Sequence, residues 1–265
     1  MTEKISSGLF FQTSKYIMNT IDRYFKEFKY LKTYVISVFL VLIGSYSVFL
    51  FFNDDIAADL GREDHFFEWM TAIYLFVSGV ILFIYFLKTR NYFILLLSII
   101  LFFGSGEEIS WGQRIIGFET PASIKEKNVQ WEFNFHNLET FNGVDSQHRM
   151  KKGFERLLEM NFLFRLFTML WGIVLPILTY HIKFVNQITL KLKIPVPPIS
   201  VGIFFFINWV TYWFVHNHLY KNDLEDASTE IFESIGSFII LVICIYFFAT
   251  INKIKMGNDI KENIQ

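Results

Sequence analysis

Six apolar runs, each close to the length at which an α-helix crosses a bilayer, dominate this chain of 265 residues. About 20 consecutive apolar residues span the hydrocarbon core as a helix, and only such a segment satisfies its own backbone hydrogen bonds in lipid. The pattern therefore predicts an all-α integral membrane protein with about six transmembrane helices. The predicted spans are residues 34–52, 66–87, 92–106, 162–180, 199–215 and 231–250.

Composition supports this class and excludes others. Hydrophobic residues make up 53% of the chain and aromatic residues 19%, and the mean hydropathy is +0.37. A soluble domain of this length would have too few polar residues to cover its surface. The net charge of −1 gives no indication of a nucleic-acid partner. Cys244 is the one cysteine, so no intrachain disulfide can form.

The segments outside the spans define the predicted organisation. Apolar residues recur at helical spacing over residues 8–32 with Lys and Arg between them, which predicts an amphipathic helix in the membrane interface. The alternative is a cytosolic helix that packs on the bundle. We expect this helix within residues 1–33, a membrane domain at 34–252 with a long outer loop at 107–161, and a tail at 253–265. The third span could continue as a helix through Glu107 to Arg114.

The distribution of charge in the loops predicts the orientation. With the N-terminus inside, the inner segments hold 14 Lys and Arg residues and the outer segments hold 9. The positive-inside rule then predicts that both termini are cytoplasmic. On the same topology, 20 of the 25 acidic residues lie at the outer face, which would attract cations. The usage of Phe, Ile, Lys and Asn is typical of an A/T-rich bacterial genome, and we expect the bacterial cytoplasmic membrane.

Ionisable residues at the mouth of a membrane bundle are energetically costly and indicate a functional site. Alternating spans bring four groups of them to the same outer end. They are Glu68 at the second span, Glu107 and Glu108 at the third, His216 and His218 at the fifth, and Glu230 and Glu233 at the sixth.

The sixth span places acidic residues on one helical face. Asp226, Glu230 and Glu233 are spaced four and three residues apart, so their like charges repel unless something compensates them. A divalent metal (Zn, Mn or Fe) held by carboxylates and imidazoles is one solution. A salt bridge to Arg165 of the fourth span and a protonated Glu are two others.

The long outer loop has an alternating pattern. If residues 130–136 are extended, Gln130, Glu132, Asn134 and His136 lie on one side and three aromatic residues lie on the other. Such a segment suits a lid over a site at the interface. The alternative is an amphipathic strand that rests on lipid.

The string GEEISWGQR at 106–114, followed by ETP and by N-x-Q-x-E-x-N-x-H-N, resembles a signature of uncharacterised multi-pass bacterial membrane proteins. The resemblance covers mainly residues 104–138. It implies that the polar signature residues act together, and it implies no particular reaction. These residues are Glu107, Glu108, Trp111, Gln113, Glu132, Asn134, His136 and Asn137.

Each candidate also has a purely structural interpretation. Glu107 and Glu108 could end a helix in water, and Glu230 and Glu233 could favourably face a helix N-terminus. His216 and His218 could belong to an aromatic belt at the membrane surface.

The favoured hypothesis is a metal-assisted hydrolase or transferase that acts on a lipid or lipid-linked substrate at the outer leaflet. Its predicted catalytic residues are Glu107, Glu108, His136 and Arg165. Its predicted metal ligands are Glu68, Glu107, His216, His218, Glu230 and Glu233.

The motifs H-E-x-x-H, G-x-S-x-G, G-x-x-x-x-G-K-[ST] and C-x-x-C are absent, so the metal hypothesis depends on the convergence of these residues alone. An ion-coupled transporter is one alternative, although such a site would lie near mid-membrane. A non-catalytic scaffold, sensor or partner subunit is another. The expected partners are membrane lipids and a lipid-linked substrate.

Overall fold

The computed structural model describes residues 31–52, 54–61, 65–144, 149–219 and 225–262, so the predicted interfacial helix at 8–32 lies almost wholly outside it. This part of the chain is helical and contains no strand, which confirms the all-α prediction. Its α-helices are α1 (Lys32–Phe51), α2 (Asp54–Leu60), α3 (Phe66–Thr89), α4 (Tyr92–Glu108), α5 (Gln113–Ile116), α6 (Ala122–Lys125), α7 (Met160–His181), α8 (Lys183–Leu192), α9 (Ile199–His218) and α10 (Glu225–Glu262).

Five of the described helices are long and apolar enough to cross a membrane, namely α1, α3, α7, α9 and α10. The chain is a multi-pass membrane protein. The predicted third span is the exception, because α4 ends at Glu108 and bends by 67° before the segment Ser110–Ile116. The expected continuous helix from Glu107 to Arg114 is therefore wrong. Residues Ser110 and Trp111 have φ angles of 45° and 53°, which no α-helix contains.

Helices α3 and α4 form an antiparallel hairpin. Arg90 turns the chain with a φ of 54°, and the Asn91 side chain caps α4 by accepting a bond from the Phe93 N–H. Ser98 donates a hydrogen bond to the Gly79 carbonyl, and Ser105 donates one to the Ala72 carbonyl. Small polar residues that bond across two helices are typical of membrane interfaces. The hairpin places Glu68 and Glu107 at the same end of the bundle.

Helix α10 lies at the centre of the bundle. Of its apolar membrane-spanning stretch, 67% of the residues are buried, against 22% to 33% in the other four spans. It packs against α1, α2, α3 and α9. Buried Asn208 of α9 connects three helices: its side-chain oxygen accepts from the Tyr46 hydroxyl at 3.0 Å, and its amide donates to the Phe232 carbonyl at 2.8 Å.

Helices α7 and α9 cross at very close range. A Cβ atom on Gly202 would lie 1.9 Å from the carbonyl oxygen of Gly172, so only glycine fits there. Gly172 belongs to a π-helical turn, Leu170–Val174, inside α7. This crossing holds the start of α7 beside the end of α9.

Alternating helix directions bring five helix ends together. The first residues of α3, α7 and α10 lie with the last residues of α4 and α9 around one cavity. The loop between α4 and α7 lies at that same end.

Replacing Asn208 with Ala should lower the free energy of unfolding by roughly 1–2 kcal/mol, because two interhelical hydrogen bonds are lost in an apolar bundle. Tyr46→Phe, which removes one of the two, should cost about half as much. Thermal unfolding in a fixed detergent measures both effects. Thr211→Val is the matched control, since the Thr211 hydroxyl bonds only to the Ile207 carbonyl of its own helix. Equal stability of the Asn208 and Thr211 variants would contradict this account.

Candidate functional site

Glu107, the last residue but one of α4, holds the outer loop through its carboxylate. One oxygen accepts hydrogen bonds from the backbone N–H groups of Phe135 (2.6 Å) and His136 (2.8 Å). The other accepts from the indole N–H of Trp111 at 2.5 Å. The Glu107 residue is only 3% exposed, so these three donors replace the water that the carboxylate lost on burial.

Arg114 ties the loop to the bundle. Its guanidinium donates to the Glu68 carboxylate of α3 at 2.7 Å and to both oxygens of Glu132 at 2.8 and 2.9 Å. The Arg114 and Glu68 side chains are 14% and 7% exposed. A buried cation between two carboxylates is geometrically specific, and removing one partner would leave a buried charge uncompensated.

The bend after α4 is stabilised by the same network. Ser110, in the left-handed region, donates its hydroxyl to Glu132 at 2.8 Å. Gln113 accepts from the Phe133 N–H at 2.7 Å and donates to the Thr120 hydroxyl at 2.8 Å. These bonds offset the cost of a non-helical backbone at this position.

The segment 128–138 is a series of turns, so the expected extended conformation of residues 130–136 is wrong. Trp131 has a φ of 64°, and the Asn128 side chain accepts from the N–H groups of Gln130 and Glu132. Asn side chains commonly form such turns in place of strand pairing. Part of the expected separation of polar from aromatic residues is nevertheless present. Gln130 and His136 line the cavity, whereas Trp131 is 67% exposed.

The loop covers a cavity of about 1110 Å³ at this end of the bundle. One wall carries ionisable groups from α3, α4, α7, α9 and α10. The lining also has an apolar and aromatic part that includes Phe103, Trp209 and Trp213, each of which is more than a third exposed. The cavity therefore combines ionisable groups with an exposed aromatic part.

Three carboxylates lie together inside this cavity. One oxygen from each of Glu108, Glu230 and Glu233 lies within 4.8 Å of the other two. Among the described residues, Glu233 Oε1 has no hydrogen-bond partner although it is fully buried. Ser237, one turn further along α10 and 0% exposed, also has a hydroxyl without a described partner. These oxygens are suitable ligands for a hard divalent cation.

Arg165 of α7, the positively charged residue that the sequence predicted for this site, lines the same cavity as the three carboxylates. Its guanidinium lies 4.8 Å from the centre of the Tyr212 ring and 5.2 Å from that of Phe232. It interacts electrostatically with Glu233. Two aromatic faces hold the guanidinium in place, and no salt bridge between Arg165 and a carboxylate of the acidic stripe is present among the described residues.

The two predicted histidines of α9 lie in different surroundings. His216 lines the cavity and stacks on Tyr212 with ring centres 5.4 Å apart. His218 is exposed, stacks on Phe214 and does not line this cavity. Residues two apart on a helix point to opposite sides, so both could not face one site. The structure gives no support to His218 as a ligand.

The remaining predicted residues take different positions. Glu68 and Glu107 border the cavity, but their carboxylates bond to Arg114 and to three N–H groups respectively. The side chain of Asp226 lies outside the described residues. Sequence reasoning missed Ser237, although its spacing of four from Glu233 places both on one face of α10.

His136 lines the cavity as a neutral imidazole. Burial lowers its pKa from 6.5 to about 4. Two smaller effects oppose each other, because Glu132 raises this pKa and Arg114 lowers it. Its Nδ1 lies 3.8 Å from the Glu107 carboxylate, which is too far for a hydrogen bond. At neutral pH the ring is therefore unprotonated and only weakly basic.

Comparisons of this chain with protein-family models, with curated proteins and with solved structures gave no significant match. The site is therefore interpreted from its own geometry.

Glu107→Gln should release the loop, because the new amide NH₂ would face N–H donors in place of an acceptor. We expect a loss of roughly 2–3 kcal/mol of local stability. Hydrogen exchange at the Phe135 and His136 amides measures this loss of local stability, and its rate should increase at least tenfold. Glu119→Gln, at an exposed position of the same loop, is the control. Unchanged exchange in the Glu107 variant would refute the proposed role of this carboxylate.

The low pKa of His136 predicts a pH dependence of stability. Because the folded protein binds this proton at about pH 4 and the unfolded chain at 6.5, the unfolded state binds more protons between these values. The free energy of unfolding should therefore rise with pH across this window and gain nothing further from His136 above it. Thermal midpoints measured from pH 4 to 7 should show a smaller slope in His136→Gln than in the wild type. Parallel slopes would contradict the prediction.

Proposed function

We propose that this protein is a membrane-bound, metal-assisted hydrolase or transferase whose metal ligands are Glu108, Glu230 and Glu233. The single observation that carries the proposal is the approach of their three carboxylates to within 4.8 Å inside a covered cavity. Three like charges at this distance repel strongly unless a cation or protons compensate them.

Charge balance around the cavity favours a cation. Its described lining holds six acidic side chains but only three arginines. Arg114 is already engaged with Glu68 and Glu132, and Arg165 is a single charge beside three carboxylates. A divalent ion together with Arg165 would neutralise this cluster.

The ligand set indicates which of the expected metals fits best. Carboxylate ligands suit Mn²⁺, whereas Zn²⁺ favours sites that include imidazole or thiolate. His216 lines the same cavity and is the imidazole that a Zn²⁺ or Fe²⁺ site would require. We therefore expect Mn²⁺, with Fe²⁺ and Zn²⁺ as the other candidates.

The surrounding residues supply the other parts of a reaction. A divalent cation at such a site polarises a phosphoryl or acyl oxygen of the substrate. Neutral His136 would accept a hydrogen bond from the attacking group and so orient it, and Arg165 would hold a negatively charged part of the substrate. The structural role of Glu107 leaves it no free oxygen for the base function that the sequence suggested.

The cavity walls support a lipid or lipid-linked substrate. A polar headgroup would lie at the carboxylates, and its chain would lie along the exposed aromatic part of the lining. From the excess of Lys and Arg in the inner segments we infer that both termini are cytoplasmic and that the site faces outward in a bacterial cytoplasmic membrane.

Metal content of the purified protein, measured by mass spectrometry, tests the proposal. We expect about one divalent transition metal per chain, because three carboxylates from two helices converge on one point, and its loss in Glu233→Gln and in Glu108→Gln. A chelator should lower the thermal midpoint of the wild type but not of these variants, because only the wild type loses a ligand that stabilises the folded state.

Glu155→Gln, in the outer loop and away from the cavity, is the matched control and should keep the metal. A metal-free wild-type protein that is unaffected by chelator would overturn the proposal. A pH- or cation-dependent flux in liposomes would then favour a transporter, and recovery of one stoichiometric protein partner would favour a scaffold.

A further inference from the structure

A second cavity, separate from the carboxylate cluster, lies in the outer loop. Its volume is about 1130 Å³, and it is a basic groove. The lining includes four cationic side chains and two acidic ones. The cationic residues are Lys127, Arg149, Lys151 and Lys152.

Apolar side chains border the basic groove on one side. The 3₁₀ segment Gly153–Leu158 follows the basic run directly. Phe154 is 88% exposed, Leu157 and Leu158 are nearly half exposed, and Met150 is 61% exposed. Exposed apolar residues beside clustered cations are typical of a surface that contacts the acyl and headgroup layers of a membrane.

Chain connectivity fixes the depth of this surface. The segment ends at Leu158, two residues before Met160 begins the membrane span α7. Extended chain advances by at most about 3.6 Å per residue, so the segment lies within the headgroup layer or at its edge. The basic groove also adjoins the first cavity, because Met150 lines both.

We propose that the basic groove is a binding site for an anionic phospholipid of the surrounding bilayer. The phosphate and the negatively charged part of its headgroup lie against Lys127 and Lys152, beside Arg149 and Lys151, whose ammonium also donates to the Glu139 carbonyl. An acyl chain lies along Met150 and Leu158. A soluble anion would account for the cations but not for the apolar rim at headgroup depth. The site does not depend on a metal in the carboxylate cluster.

Binding of anionic lipid to the full-length, delipidated protein tests this assignment. Phosphatidylglycerol or phosphatidylcholine is added, and native mass spectrometry counts the retained lipids while thermal unfolding reports stabilisation. The wild type should retain phosphatidylglycerol in preference to phosphatidylcholine. Lys127→Gln/Lys152→Gln, two exposed lysines, should lose the preference by roughly fivefold for each charge removed.

Lys183→Gln/Lys191→Gln is the matched control, since α8 follows α7 and lies at the opposite membrane face. It should keep the preference, as should Lys127→Arg/Lys152→Arg, which preserves the charge. An unfolded variant is recognised by its thermal midpoint in phosphatidylcholine. Leu158→Ser then provides a second variant that changes only an exposed side chain of the groove. We expect this variant to bind phosphatidylglycerol more weakly.

Two results would overturn the proposal. One is an unchanged lipid preference in both Lys127→Gln/Lys152→Gln and Leu158→Ser. The other is equal stabilisation of the wild type by inorganic phosphate, which would indicate a soluble anion. Metal content is read in the same samples and should be unchanged throughout, so failure of the lipid site is distinguishable from failure of the metal site.

Discussion

The pairing of Arg114 with Glu68 and Glu132 is the interaction on which the cavity end of the bundle depends. It joins a membrane helix to a loop residue, and the two carboxylates come from positions 46 and 18 residues away from the arginine. In a membrane protein such a buried charge must find its partners within the protein, because lipid offers none. The bend after α4 and the turns of residues 128–138 follow from the need to bring these partners together.

The same rule separates five of the six acidic residues of the cavity into two groups, and the sixth, Glu159, pairs with Arg156 at 3.6 Å. Glu68 and Glu107 have hydrogen-bond donors from the arginine, the indole and the loop backbone, so their charges are compensated by the fold itself. Glu108, Glu230 and Glu233 lie against one another, and Glu233 Oε1 has no hydrogen-bond partner among the described residues. Compensation within the fold explains the first group, and an added cation would explain the second. This division is the physical basis of the proposed metal site.

Helical geometry alone sets the relative positions of some of the predicted residues. The i, i+3 spacing of Glu230 and Glu233 put both on one face of α10, and alternating spans brought Glu108 to the same end. The expectations failed where a side chain outside the helix decides the backbone. Asn128 folds the 130–136 segment into turns, and the indole of Trp111 bonds back to Glu107 across a bend that the sequence pattern does not mark. His218 was grouped with His216 by proximity along the chain, although residues two apart on a helix diverge.

The sequence by itself determined the class of the protein, the positions of five membrane helices and the end of the bundle at which its acidic residues collect. It could do so because a long apolar run has one stable form in lipid, and because successive spans must alternate in direction. Only the tertiary structure decided which carboxylates bond to the arginine and the loop and which lie close to one another. Hydrogen-bond partners such as Phe135 and Glu107 lie 28 residues apart, and no local periodicity specifies so distant a contact. The polar contacts of the outer loop, more than the apolar pattern of the spans, therefore determine what the cavity can bind.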